Sequence, residues 1–326
     1  MRICKKLILA TVATALLPIS RPSALADSAV RYPAKPVRIV TGPSGSGTDV
    51  FARPIAQRMH EVWGQPVVVE NRALGSISAG VAAKAASDGY TLLVGDRTWQ
   101  AVAQSLYNEL PYDPAKDFAA IAQIASTPML FVAHPSVPAT NLGEFIAYAK
   151  RLPQPLGYAT AGIGTANHLP GEQLKQLTGI DLTAVHYKGG GAAMVAMLGG
   201  EVKVGFNLVI QALPHVKTGR VKAYVITAKK RFPGAADIPT VIEAGFPDLE
   251  ADYWVGLFAP ARTPSSIVAS INHDVVSILQ SDAMRASLLN QGAVPVPGTS
   301  QEFAAFIKSE TAKWGKVIKT AGIKPE

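Results

Sequence analysis

VRIVTGPSGSGTDVFARPIAQRMHEVWGQPVVVEN, residues 37 to 71, holds a strand, a helix and a second strand in one reading. VRIVTG (37 to 42) and QPVVVEN (65 to 71) carry continuous rather than alternating apolar runs, the pattern of strands buried on both faces. Between them Phe51, Ile55, Met59 and Val62 recur at helical spacing. Pro54 is expected to kink that helix or delay its start. The next apolar run, YTLLVG (90 to 95), follows SISAGVAAKAAS (76 to 87), a serine-capped helix of small residues closed by an Asp88-Gly89 turn. Strand, helix, strand, helix, strand implies a parallel sheet, because parallel neighbours need a crossover to join them.

Outward from this unit the alternation repeats. MLFVAHP (129 to 135), a helix near 141 to 151, LGYATAG (156 to 162), a helix from Thr165, LTAVHYKG (182 to 189), a Gly-Ala-rich stretch and KVGFNLV (203 to 209) describe a second α/β lobe. VKAYVIT (221 to 227) and WVGLFAP (254 to 260) follow, separated by a Pro- and Gly-punctuated stretch. The end is helical: Thr263-Pro264 places proline at a first helical position, and Thr299 with Glu302 forms a capping box.

The N-terminus has basic residues (Arg2, Lys5, Lys6), an apolar run from Leu7 to Leu17, and Ala24-Leu25-Ala26, the three parts of a cleavable export signal over residues 1 to 26. Cys4, the one cysteine, lies inside the basic segment and would leave with it, so disulfides and thiolate chemistry are not expected. The segment carries four bases and no acid, so its removal lowers the formal charge from +8 to +4 over about 300 remaining residues. That length suits two lobes: 27 to 127 with 254 to 326, and 128 to 253. The remaining bases are scattered, which gives nucleic-acid binding no support and suits an anionic small ligand.

Two Gly-, Ser- and Thr-rich loops follow strands: PSGSGTD (43 to 49) and GIGTANH (162 to 168). Each leads toward a helix expected to begin near Thr48 or Thr165, and the free N–H groups of a helix start attract anions. Ordinary strand-to-helix turns account for either loop taken alone. Enzyme signatures do not complete. Val50 and Asn167 stand where G-x-G-x-x-G needs its third glycine, and Ser46 stands where a nucleophile elbow needs one. The six histidines lack metal-ligand spacing, so neither metal nor cofactor is expected.

YPAKPVRIVTGPSGSGTDVFAR (32 to 53), AASDGYTLLVG (85 to 95), YATAGIGTANHLPGE (158 to 172), HYKGGGAAMVAMLGGEV (186 to 202) and WVGLFAPARTP (254 to 264), in this order, resemble the Bug-type receptors of tripartite tricarboxylate transporters. The resemblance covers essentially the whole chain beyond the leader. It implies a type II periplasmic binding protein: two α/β lobes, a hinge, and a carboxylate ligand in the cleft between them. It further implies a periplasmic monomer without enzymatic activity, partnered by integral permease subunits.

By position, the resemblance assigns ligand contacts to Ser44, Gly45, Ser46, Gly47 and Thr48, to Ser76, and to Arg97 with Thr98. From the second lobe it assigns Thr160, Gly162, Ile163, Gly164, Thr165, Gly189 and Asn207. Asp49 is expected to cap its helix rather than touch an anion. Ser46 replaces a glycine common in the family, Arg97 a small hydroxylated residue, and Asn207 an acid able to pair with a ligand ammonium. Together they imply a ligand with two carboxylates and no amine, Arg97 gripping the second carboxylate; an Arg97 that is merely solvated or paired inside the protein is the other reading of that residue. A sensor subunit for a membrane kinase, or an exported hydrolase using Ser44 or Ser46, are the alternative readings.

Overall fold

A computed structural model describes residues 32 to 324; the leader expected over residues 1 to 26 lies outside them. The elements run β1 (Val37–Thr41), α1 (Gly47–Trp63), β2 (Val67–Asn71), α2 (Gly75–Ala83), β3 (Thr91–Asp96), β4 (Phe118–Thr127), β5 (Met129–Ala133), α3 (Leu142–Ala149), β6 (Leu156–Thr160) and α4 (Leu169–Thr178). They continue with β7 (Leu182–His186), α5 (Gly190–Leu198), β8 (Val204–Leu208), α6 (Val209–Lys217), β9 (Lys222–Ile226), β10 (Tyr253–Pro260), α7 (Ser265–Gln280), α8 (Asp282–Asn290), β11 (Val294–Pro295) and α9 (Ser300–Thr320). No helix of the described residues is long and apolar enough to cross a membrane.

The opening β-α-β-α-β unit forms, with β1 paired in parallel with both β2 and β3; burial on both faces holds for β1 and β3, but β2 is the sheet's edge, only half-buried and exposing Val68. The helix α1 starts at Gly47 and runs through Pro54, so the delayed start is not found. Phe51, Ala52, Ile55, Ala56 and Met59 are buried along one face of α1, and that apolar stripe outweighs the single backbone bond proline removes. By contrast α4 begins at Leu169 rather than near Thr165. Residues 161 to 168 turn instead, with φ positive at Gly162 and Gly164, and Pro170 sits at the helix start that suits it.

Two sheets result. The first has the order β11-β4-β10-β3-β1-β2, and the second β7-β6-β8-β5-β9. Within the first, β10 runs antiparallel to both β3 and β4, so β4 runs in the direction of β1 to β3. Within the second, β6 is parallel to β7 and β8 while β5 is antiparallel to β8 and β9. The chain leaves the carboxyl edge of the first sheet at β4, enters the second through β5, and returns from β9 into β10. Each sheet thus turns the carboxyl ends of its parallel strands toward the other, the edge where open α/β sheets bind ligands. Buried clusters line both faces of each sheet, and Val102, Leu106, Leu169, Ala251 and Trp314 form one that spans the two.

Candidate functional site

The loop after β1 is shaped by its own side chains. Ser46 Oγ accepts the Asp49 N–H, Thr48 Oγ1 accepts the Gly42 N–H at 3.2 Å, and the two hydroxyls lie 3.1 Å apart. Asp49, 3 % exposed, accepts from Gly45 N–H at 2.9 Å, from Asn71 Nδ2 at 2.7 Å and from Arg53. Burial alone would raise its carboxyl, but these bonds outweigh it and hold Asp49 below the usual carboxylate range. Asp49 therefore ties the loop to the end of β2 and offers nothing to an anion. The N–H groups of Gly47 and Thr48, first and second in α1, donate to no group among the described residues.

The helix α2 follows the neighbouring strand, since Thr41 of β1 stands opposite Asn71 of β2. Its cap is Leu74, which makes no side-chain bond, so the N–H groups of Gly75, Ser76 and Ile77 are also unspent. The indole of Trp99 lies directly on Gly75, leaving no room for any Cβ. Likewise a Cβ at Gly47 would meet the Tyr253 hydroxyl at 2.7 Å. Glycine at these two helix heads lets aromatic rings close over the backbone. Trp99 stacks on Tyr107 with centroids 5.6 Å apart, and the Asp96 carboxylate anchors the turn by accepting from Trp99 N–H and the Tyr253 hydroxyl.

Across from these heads lies the loop after β6. Thr160 Oγ1 accepts the Gly162 N–H, Thr165 Oγ1 donates to Gly162 O, and Gly164 N–H donates to His168 Nδ1 at 3.0 Å. Thr160, Gly162, Gly164 and Thr165 thus spend their polar groups on the loop's shape, while the Ile163 N–H donates to nothing among the described residues. The Leu106 side chain sits where Gly164 would carry a Cβ, so this loop rests on the segment that follows β3. The α5 head lies at the same edge after β7: Gly189, with φ of 97°, gives no side-chain cap, and the Gln211 amide lies against Gly190.

Two expected ligand contacts are buried. Arg97, 1 % exposed, donates from Nη1 to the carbonyls of Ala251 and Asp252 and packs its guanidinium over the Trp314 ring at 4.6 Å. Nη1 is thus bound to the strand crossing, while Nη2 has no hydrogen-bond partner among the described residues. Asn207, also 1 % exposed, turns its amide nitrogen toward Met197 Sδ of α5 and leaves its Oδ1 without a partner among the described residues. Ser44 and Gly45 are exposed in the first loop, and Thr98 is half-buried at the start of a π-turn over Thr98–Val102. Trp99, Leu106, Tyr107 and Tyr253 escaped the sequence reading. Of these only Trp99, directly past the carboxyl end of a parallel strand, carried a positional signal.

The crossing itself is cross-linked. Asp252 accepts from Ser126 Oγ at 2.7 Å and from Thr227 Oγ1 at 3.1 Å, and Thr227 Oγ1 accepts the Met129 N–H. One carboxylate thereby joins the two crossings between the sheets, β4 into β5 and β9 into β10.

Known proteins are similar to this chain in sequence and in overall fold. The model of the tripartite tricarboxylate transporter family receptor matches residues 51–323. Protein BugT of Bordetella pertussis is 34% identical over 301 residues, 91% of this chain and 92% of BugT. Among solved structures, R. palustris Rpa4515 with adipate is similar with a TM-score of 0.78 and 36% identity, covering 90% of this chain and 100% of that one. MatC from Rhodopseudomonas palustris with bound malate is similar with a TM-score of 0.73 and 34% identity, covering 88% and 100%.

Proposed function

Because this chain belongs to the tripartite tricarboxylate transporter receptor family, we propose that it captures a small dicarboxylate between two lobes and delivers it to integral subunits of a membrane transporter. The lobes are residues 27 to 127 with 254 to 326, and residues 128 to 253. The leader over residues 1 to 26 is removed on export to the periplasm, and the ligand is released unchanged.

The observation that carries this reading is the set of unspent backbone N–H groups at the heads of α1 and α2 on one sheet and at Ile163 on the other. Donors fixed at a helix start stabilise a carboxylate without a cation beside it. Donors on both edges favour a ligand that is anionic at both ends. Leu74, Ile77 and Ile163 are largely exposed at these same loops, which suits a short apolar spacer between the carboxylates. The adipate and malate held by the two relatives support the same class. Ser44, Ser46, Thr48 and Ser76 add hydroxyls around the first carboxylate, whereas Arg97 and Asn207 act from behind.

The test is thermal unfolding of the purified protein against mono-, di- and tricarboxylates and amino acids. A ligand that binds only the folded state at a hundred times its Kd adds about 2.7 kcal/mol of stability. A short dicarboxylate is expected to raise Tm more than the matched monocarboxylate. No stabilisation by any carboxylate would overturn the reading.

A further inference from the structure

Trp99 differs from the other three tryptophans of the sequence. Each of those spends its indole N–H on a carboxylate: Trp63 on Asp274 at 2.7 Å, Trp254 on Glu310 at 3.0 Å and Trp314 on Glu310 at 2.9 Å. Trp99 is half-buried, and its Nε1 donates to no group among the described residues without being sealed from solvent. The residue is also held in place. Its backbone N–H donates to Asp96 at 3.1 Å, its carbonyl accepts from the Tyr112 hydroxyl at 2.7 Å, and its ring stacks on Tyr107 with the planes 17° apart. This fixed ring meets the head of α2 with its N–H edge: a Cβ on Gly75 would lie 2.1 Å from Nε1 and 2.1 Å from Cδ1.

The indole N–H therefore stands beside the unspent N–H groups of Gly75, Ser76 and Ile77. A tryptophan N–H ordinarily finds an acceptor when its ring is packed away, and a charged acceptor gives the stronger bond. None of these N–H groups can accept, so the group that completes them offers several lone pairs, as a carboxylate does; an ammonium end has none to offer. The adjoining acid, Asp96, is already engaged on both oxygens, by the Trp99 backbone N–H and by the Tyr253 hydroxyl. The same segment reaches the other anion loop, because Leu106 packs where Gly164 would carry a Cβ. On the reading that the cleft captures a dicarboxylate, and only on it, we propose that Trp99 is a specificity-determining contact: its indole N–H joins the α2 amides on one carboxylate of the ligand. The fourth tryptophan thus pairs as the other three do, with the carboxylate supplied by the ligand instead of the chain.

The probes are succinate, glutarate, malate and adipate, titrated into the ¹⁵N-labelled protein while its four indole N–H signals are followed by NMR. Trp99→Phe, which keeps a ring over Gly75 and against Tyr107, assigns the Trp99 signal by its loss. A dicarboxylate that binds is expected to move that signal far more than the other three, whose N–H groups are already bonded. By calorimetry Trp99→Phe is expected to weaken the same dicarboxylate about tenfold or more, the worth of a hydrogen bond to a charged group. Its ligand-free Tm should stay near that of the wild type, since the lost N–H bonds nothing within the chain. The inference is overturned if a dicarboxylate binds while the Trp99 signal stays in place, or if Trp99→Phe keeps wild-type affinity. If none of the four probes binds, the capture of a short dicarboxylate fails, and this inference with it.

Discussion

His168 shows how one side chain under a loop sets that loop's shape. Its Nδ1 accepts the Gly164 N–H, which places the one proton of the neutral ring on Nε2, and Nε2 lies 3.8 Å from Glu172. Burial is the largest influence on the ring; against the pull of Glu172 it lowers the pKa from the usual 6.5 to about 4. The unfolded chain therefore binds a proton between pH 6.5 and 4 that the folded chain does not. Stability from this group is full above pH 6.5 and is lost as pH falls toward 4, by at most about 3 kcal/mol. Urea unfolding across that range should show the fall, and His168→Asn, which keeps an acceptor for Gly164, should flatten it. At this scale the sequence was legible for Asp49, expected to serve its own helix rather than an anion. It left Arg97 open between two readings, because a lone arginine after a strand reads the same whether its partner is a ligand or a backbone carbonyl.

At the scale of elements, the α1 head depends on Ser46, whose hydroxyl accepts the Asp49 N–H and lies beside Thr48 Oγ1. Ser46→Ala should cost about 1 kcal/mol of stability, the worth of a helix N-cap. It should also weaken the preferred dicarboxylate, since Gly47 and Thr48 would be less rigidly presented. Denaturant unfolding checks the first effect and calorimetry the second. Strand and helix order through residue 95 was readable because continuous apolar runs and the 3.6-residue helical period are local properties. The strand β4, FAAIAQIAST, escaped that reading: alanine favours helices and gives weak alternation, so its pairing along the whole of β10, and with β11 at one end, makes it a strand. The start of α4 shifted for a similar reason, since the turns at 162 to 168 are closed by Thr160 and His168 contacts that no local pattern announces.

At the scale of the molecule, Arg97 belongs to the crossing between sheets. Arg97→Met would leave the carbonyls of Ala251 and Asp252 without their buried donor and remove the charge from the Trp314 face. A loss of about 2 to 4 kcal/mol in stability is expected, with an unchanged ratio of dicarboxylate to monocarboxylate affinity. A selective loss of dicarboxylate binding would instead return Arg97 to the cleft. Taken alone, the sequence determined the α/β character, the opening β-α-β-α-β unit and the two glycine-rich loops, because these follow from periodicity and from the few residues that permit tight turns. Only the tertiary structure decided which polar groups remain free to meet a ligand. Gly47, Thr48 and Ile163 keep unspent amides while the Asp49 carboxylate and Arg97 Nη1 are bonded inside, since a hydrogen-bonding group has a fixed capacity and its partners can come from segments far away in the chain.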